Sequence, residues 1–219
     1  DPDQRLKLME AYLKPYTKKR VKSTVPLAKK FKKPKQVKAY YDAGGEKDIA
    51  KKHFVTVNWV LPDSSDAVLN YSLRILGHIL IGTPASPLRK ALLDSGLGED
   101  LAGTGLETSL RQLVFSTGLK GTRARSAKKV EELIFDTLHT LARKGLDPEM
   151  IAAAMNTIEF SLRENNTGRF PRGIAIMTRI LTTWLYDEDP FKLFAFEAPL
   201  NEIKARLASN PRYFESLIQ

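Results

Sequence analysis

Apolar and polar positions alternate most clearly over residues 54–61. Val55, Val57, Trp59 and Leu61 fall on one side, and Phe54, Thr56, Asn58 and Val60 on the other. That period of two predicts a half-buried strand, ended by Pro62 and Asp63. The period then lengthens. Leu69, Leu73, Leu76 and Leu80 recur at helical spacing, which predicts a helix capped by Asp63, Ser64 or Ser65 and closed by Gly82. A shorter helix starts at Ser86, with Pro87 at the first helical position where its missing N–H costs nothing, and ends at Gly96.

Two extended stretches follow, residues 101–108 and 110–120. In the second, Leu113, Phe115, Thr117 and Leu119 share a face. Two long helices come next. Val130, Leu133, Ile134, Leu138 and Leu141 form one stripe, running from Ser126 to Gly145. Ile151, Ala154, Met155, Ile158 and Leu162 form the other, opened by Asp147-Pro148. A turn at residues 165–168 leads to a helix over 173–185, and residues from 189 on read as short helical pieces split by Pro190, Pro199 and Pro211. Near the N-terminus, Leu6, Met9 and Leu13 predict a helix over 2–14, and residues 36–41 read as a further strand before a Gly44-Gly45 turn.

Strand pairs separated by helix pairs (β-β-α-α-β-β-α-α) imply an α+β fold. Its sheet would be antiparallel or mixed, with helices packed on one face. The divisions expected are residues 1–35 as a helix end and basic linker, 36–200 as the α+β domain, and 201–219 as the start of a helical connection. The opening Asp-Pro-Asp and the helix-like ending make the chain read as a piece of something longer.

The net charge of +10 over 219 residues changes this picture only locally. Residues 1–53 hold 16 Lys+Arg against 6 Asp+Glu, while residues 54–219 hold 19 of each. A local excess of this kind describes a basic linker better than a nucleic-acid-binding domain. Lys18-Lys19-Arg20, Lys29-Lys30 and Lys32-Lys33 read first as solvated linker, second as contacts to an acidic surface of a parent protein, and last as a nucleic-acid site. No apolar run approaches the length of a membrane span.

Candidate chemistry is sparse. There is no cysteine, which excludes disulfides and thiolates. The three histidines, His53, His78 and His139, are scattered, with neither His-Glu-x-x-His nor its inverse. A catalytic zinc needs three protein ligands and an open position, so no metal is expected in this segment and no catalytic residue is assigned. Gly103-Thr104-Gly105 and Gly118-Leu119-Lys120-Gly121-Thr122 lack the endings of phosphate loops and read as turns and close strand packing.

Residues 80–98 (LIGTPASPLRKALLDSGLG) are similar to the loop-and-helix pattern of pitrilysin/insulinase-type zinc peptidases. Residues 156–168 (NTIEFSLRENNTG), then Phe170-Pro171-Arg172-Gly173, resemble the plant-type organellar branch of that family, which degrades cleaved targeting peptides. Trp184-Leu185-Tyr186-Asp187 followed by Asp189-Pro190-Phe191 also fits it. The resemblance covers residues 54–200. It implies the second, non-catalytic domain of a four-domain zinc metalloendopeptidase of the chloroplast stroma or mitochondrial matrix. Zinc would lie in the first domain of the same parent chain. This segment would serve as chamber wall, with the catalytic domain and short unfolded peptides as partners, and without membrane attachment.

The resemblance directs attention to the 163–172 connection, with Arg163, Asn165, Asn166, Arg169 and Phe170 as residues that would face a substrate chamber. The ordinary reading of the same residues is a helix-to-helix turn, with Gly168 as left-handed cap and Pro171 as restart. Two other functions stay open. One is a non-catalytic partner subunit of a processing-peptidase-like complex, and the other is a basic nucleic-acid-binding module.

Overall fold

The computed structural model describes residues 1–19, 25–45 and 49–219. Three strands form the sheet: β1 (His53–Asp63), β2 (Asp100–Glu107) and β3 (Gln112–Thr122). Their order is β1-β3-β2, and both pairings are antiparallel. Helices α1 (Pro2–Leu13), α2 (Ala67–Gly77), α3 (Pro87–Asp94), α4 (Ala127–Lys144), α5 (Pro148–Glu164), α6 (Arg172–Trp184), α7 (Glu197–Ser209) and α8 (Tyr213–Ser216) complete the chain. The α+β class and the helix-covered sheet are as the sequence implies.

Along β1 the burial alternates as the period of two requires. Val55, Val57, Trp59 and Leu61 turn toward the helices, while Phe54 and Val60 stay exposed. The core between sheet and helices includes Tyr71, Ile75, Leu88, Leu92, Leu113, Leu119, Val130 and Ile134. Each such side chain removed from water contributes roughly 1.5–3 kcal/mol, offset by the cost of ordering the chain.

Four local expectations are corrected. Residues 36–41 form no strand, and Val37 and Tyr40 are exposed. Extended backbone without a neighbouring strand leaves its N–H and C=O groups to solvent, so propensity alone does not make a sheet element. This stretch meets the domain through Tyr41, whose ring stacks edge-on against Phe54 at 5.5 Å and whose hydroxyl donates to the Lys52 carbonyl.

The cap of α2 is Asp66, whose carboxylate accepts from the Leu69 N–H at 3.0 Å. β1 stays paired through Asp63, opposite Gln112, so the chain needs residues 64 and 65 to turn. Asp63 is consumed in that turn, accepting from the Ser65 N–H at 2.9 Å.

Asn165, with φ 46° and ψ 44°, rather than Gly168, is the left-handed cap of α5. Asparagine tolerates that region better than most side chains do. Pro199 does not split a helix. It lies in the first turn of α7, where no backbone hydrogen bond is lost.

Gly103 and Gly105 have positive φ (94° and 70°) and flank the irregularity in the β2–β3 register. They are a bulge, as their glycine content allows. The last turn of the α2 helix widens into a π-helix over His78–Gly82.

The core does not stop at residue 200. Ile203 and Phe214 are fully buried in it. The Tyr213 hydroxyl meets the Ser72 hydroxyl at 2.8 Å, and the Glu215 carboxylate accepts from the Leu146 N–H at 2.8 Å.

Candidate functional site

The α5–α6 connection is built by the ends of two helices. α5 runs to Glu164 because its apolar stripe, Ile151, Ala154, Met155 and Leu162, is buried. Beyond the Asn165 cap, the Asn166 side chain accepts from the Gly168 N–H at 2.8 Å, and the Thr167 hydroxyl donates to the Phe170 carbonyl at 2.8 Å. Pro171 then caps α6. These bonds close the turn over residues 166–170.

The five chamber-facing candidates divide accordingly. Arg163 is exposed, but its guanidinium is engaged by neighbours on the protein surface. Its Nε and Nη2 reach Glu159 Oε1 at 3.2 and 2.7 Å, and its guanidinium lies over the Phe196 ring at 5.8 Å. Glu159 also takes the Lys204 ammonium on its other oxygen, at 2.8 Å. Lys204, and after it Arg163, hold the Glu159 carboxyl below the usual carboxylate range. This trio clamps α5 to α7. Asn165 serves its helix and Asn166 the turn. Arg169 and Phe170 face outward, with Phe170 55% exposed.

Next to this turn, α6 presents an apolar stripe to solvent. Ile174, Met177, Trp184 and Leu185 lie within one sector at helical spacing and are 46–66% exposed. Phe160 on α5 and Phe191 beyond α6 are exposed to a similar degree. Thr183 is the buried residue of α6. An amphipathic helix with its apolar side uncovered is a candidate contact surface. The helix expected over 173–185 contains this stripe, and its exposure is set by what packs against α6, which sequence spacing does not show.

The described residues do not fit a zinc ion. His53 begins β1, His78 begins the π-helix, and the His139 ring is tilted against Phe135 at 6.3 Å. Among the described residues no three His, Asp or Glu side chains converge, so these groups do not assemble a hydrolytic metal centre. No helix of the described residues is long and apolar enough to cross a membrane.

Comparison with known proteins agrees with this geometry. The family described as "Peptidase M16 inactive domain" matches residues 1–158. The chain is 45% identical over 211 residues to presequence protease 1, chloroplastic/mitochondrial, of Arabidopsis thaliana, covering 95% of this chain and 20% of that protein. It is 32% identical over 210 residues to protein HypA of Clostridium perfringens, covering 96% of this chain and 21% of that one. It is 30% identical over 173 residues to the mitochondrial presequence protease of Mus musculus, covering 78% of this chain and 16% of the relative. The chain therefore spans about a fifth of the length of these relatives. Among solved structures, the inactive peptidase domain of a Bordetella parapertussis protein assigned as a zinc protease superposes with a TM-score of 0.55 at 17% identity, covering 68% of this chain and 78% of that one.

Proposed function

The chain belongs to the peptidase M16 inactive-domain family, in the form found in presequence proteases, and from that premise we propose that it is the chamber-wall domain of an organellar zinc metalloendopeptidase. In this reading the parent degrades cleaved targeting peptides and other short unfolded peptides in the chloroplast stroma or mitochondrial matrix. Zinc and the hydrolytic groups lie elsewhere in the parent chain. This segment is non-catalytic and supplies enclosure, so that substrate size is limited by the walls and not by the metal site.

The observation that carries the reading is the exposed apolar stripe of α6 beside the 165–171 turn. A free-standing domain has no use for Ile174, Met177, Trp184 and Leu185 in water, whereas a wall segment covers them against a neighbouring domain. Arg169 and Phe170, which project from the turn, are the side chains placed to meet a peptide. Arg163 contributes by holding the turn in register.

The test pairs two preparations. The 219-residue chain alone should bind no stoichiometric zinc and show no chelator-sensitive cleavage of a presequence peptide. In the full-length parent, Met177→Lys with Trp184→Lys should lower peptidase activity at least about tenfold while leaving the zinc content unchanged. Stoichiometric zinc with chelator-sensitive cleavage by the short chain would overturn the reading. So would unaltered activity of the doubly substituted parent.

A further inference from the structure

A second cavity, separate from the turn, lies between α2, the β2–β3 hairpin and α6. Its volume is about 190 Å³, and its lining includes Tyr71, Arg74, Thr108, Ser109, Arg179 and Thr182. It is larger and more polar than the apolar gap of about 90 Å³ under Trp59 and Phe115, which is unfilled core. Arg74 comes from α2 and Arg179 from α6; both line the same cavity, and the Arg179 charge reaches Arg74.

Neither guanidinium has an acidic partner among the described residues. The arginine ion pairs there are Arg111–Asp63, Arg163–Glu159 and Arg206–Glu202. Glu107, next in sequence to the lining residue Thr108, is not part of the lining and is engaged by Ser109, accepting from its N–H and hydroxyl at 2.7 and 2.5 Å. Glu197 acts on Tyr71 through space without lining the cavity. Burial pushes the Arg74 guanidinium below its ordinary basicity, and the neighbouring Arg179 adds to that effect.

Both cations are held in position by rings. Arg74 lies over Tyr71 at 5.5 Å and Arg179 over Phe194 at 5.2 Å. The Tyr71 hydroxyl is already committed, donating to the Leu193 carbonyl at 2.6 Å. The Thr178 and Thr182 hydroxyls donate to their own helix. The side-chain donors left at the cavity are therefore the two guanidinium forks, the Thr108 hydroxyl and the second amide N–H of Asn70, whose Nδ2 also donates to the Ser64 carbonyl at 3.1 Å. Partly buried like charges are normally paired, because desolvation and repulsion together disfavour them. Two forks set around one polar space match a planar or tetrahedral oxyanion.

We infer that Arg74 and Arg179 form an oxyanion site that takes a phosphate or a carboxylate. Nothing in the chamber-wall reading requires it, and it stands or falls separately. The ligand is either a free anion or the C-terminal carboxylate of a short peptide, and one experiment separates these sources.

Thermal unfolding of the full 219-residue chain is followed at constant ionic strength while chloride is exchanged for inorganic phosphate. It is followed again with a short peptide as free acid and as its C-terminal amide. A saturable rise in Tm with phosphate, or with the free acid and not the amide, is expected. Arg74→Gln and Arg179→Gln should each weaken that response at least about tenfold. In chloride alone both variants should unfold no earlier than the unsubstituted chain, because each removes an unpaired charge. No saturable response of the unsubstituted chain to either probe would overturn the site. So would a response equally strong in the Arg74→Gln, Arg179→Gln double variant.

Discussion

A methyl group on Gly118 would sit 1.9 Å from the Val55 carbonyl oxygen and 2.8 Å from the Thr56 Cα. Gly118 stands at the middle of the central strand, opposite Thr56 on β1 and Ala102 on β2. The obstacle is backbone on a paired strand, so it moves only if the β1–β3 ladder opens. Gly118→Ala should therefore destabilise the chain by about 1–3 kcal/mol or more, the range of an overpacked core. Gly173, in the first turn of α6, has nothing within 4 Å of the same added atom, so Gly173→Ala should stabilise by about 0.5–1 kcal/mol. Urea midpoints of the two variants should move in opposite directions. A Gly118 variant no less stable than the original chain would show that the strands part more easily than this packing allows.

At the scale of elements, legibility in the sequence tracks the source of each element's stability. α4 and α5 can be read to within a residue or two, because their apolar stripes and their Gly145 and Asp147-Pro148 punctuation act within the element. β1 is equally plain from its alternation. The strand expected at 36–41 fails because strands depend on partners, and its residues say nothing about a neighbour. Arg163 stands out in the sequence for its charge, yet its role is set by Glu159 and Phe196, the latter on a distant segment that sequence spacing cannot place. The juxtaposition of Arg74 with Arg179 is hidden for the same reason.

The C-terminal helices are undervalued by sequence too, since short pieces between prolines look peripheral. In the structure Arg212 Nη2 donates to the Ala142 and Arg143 carbonyls at 2.5 and 3.1 Å, and Phe214 is fully buried. Removing residues 210–219 should cost at least about 3–5 kcal/mol, the range for deleting one buried phenylalanine. It would also leave the Leu146 N–H without its carboxylate. That is a large part of the roughly 5–15 kcal/mol by which domains are stable. Chemical denaturation of the shortened chain decides the point, and an unchanged midpoint would mean that α8 is an ornament on a complete core.

For the whole molecule, the informative quantity is where the charge lies. The basic excess belongs to the leader, while the packed domain is neutral. Some of that leader, Arg20 included, lies outside the described residues. What is described lies lightly on the domain. α1 buries no residue, and Leu6, Met9 and Leu13 on its apolar side are 57–62% exposed. Residues 25–28 are hooked to the start of β3 by the Ala28 N–H, which donates to the Gln112 side chain at 2.6 Å, and by Arg111, which donates to the Val25 carbonyl. Exposed bonds of this kind are individually weak. Deleting residues 1–52 should therefore remove the entire charge excess yet shift the stability of the domain by less than about 1 kcal/mol. Retention of the chain on an acidic matrix should disappear with the leader. In the undeleted chain that retention should fall steeply with salt, because exposed charges are screened over about 10 Å at 0.1 M ionic strength. If the deletion instead unfolds the domain, the leader is a structural layer, and its lysines are there to cover the sheet rather than to meet an acidic surface.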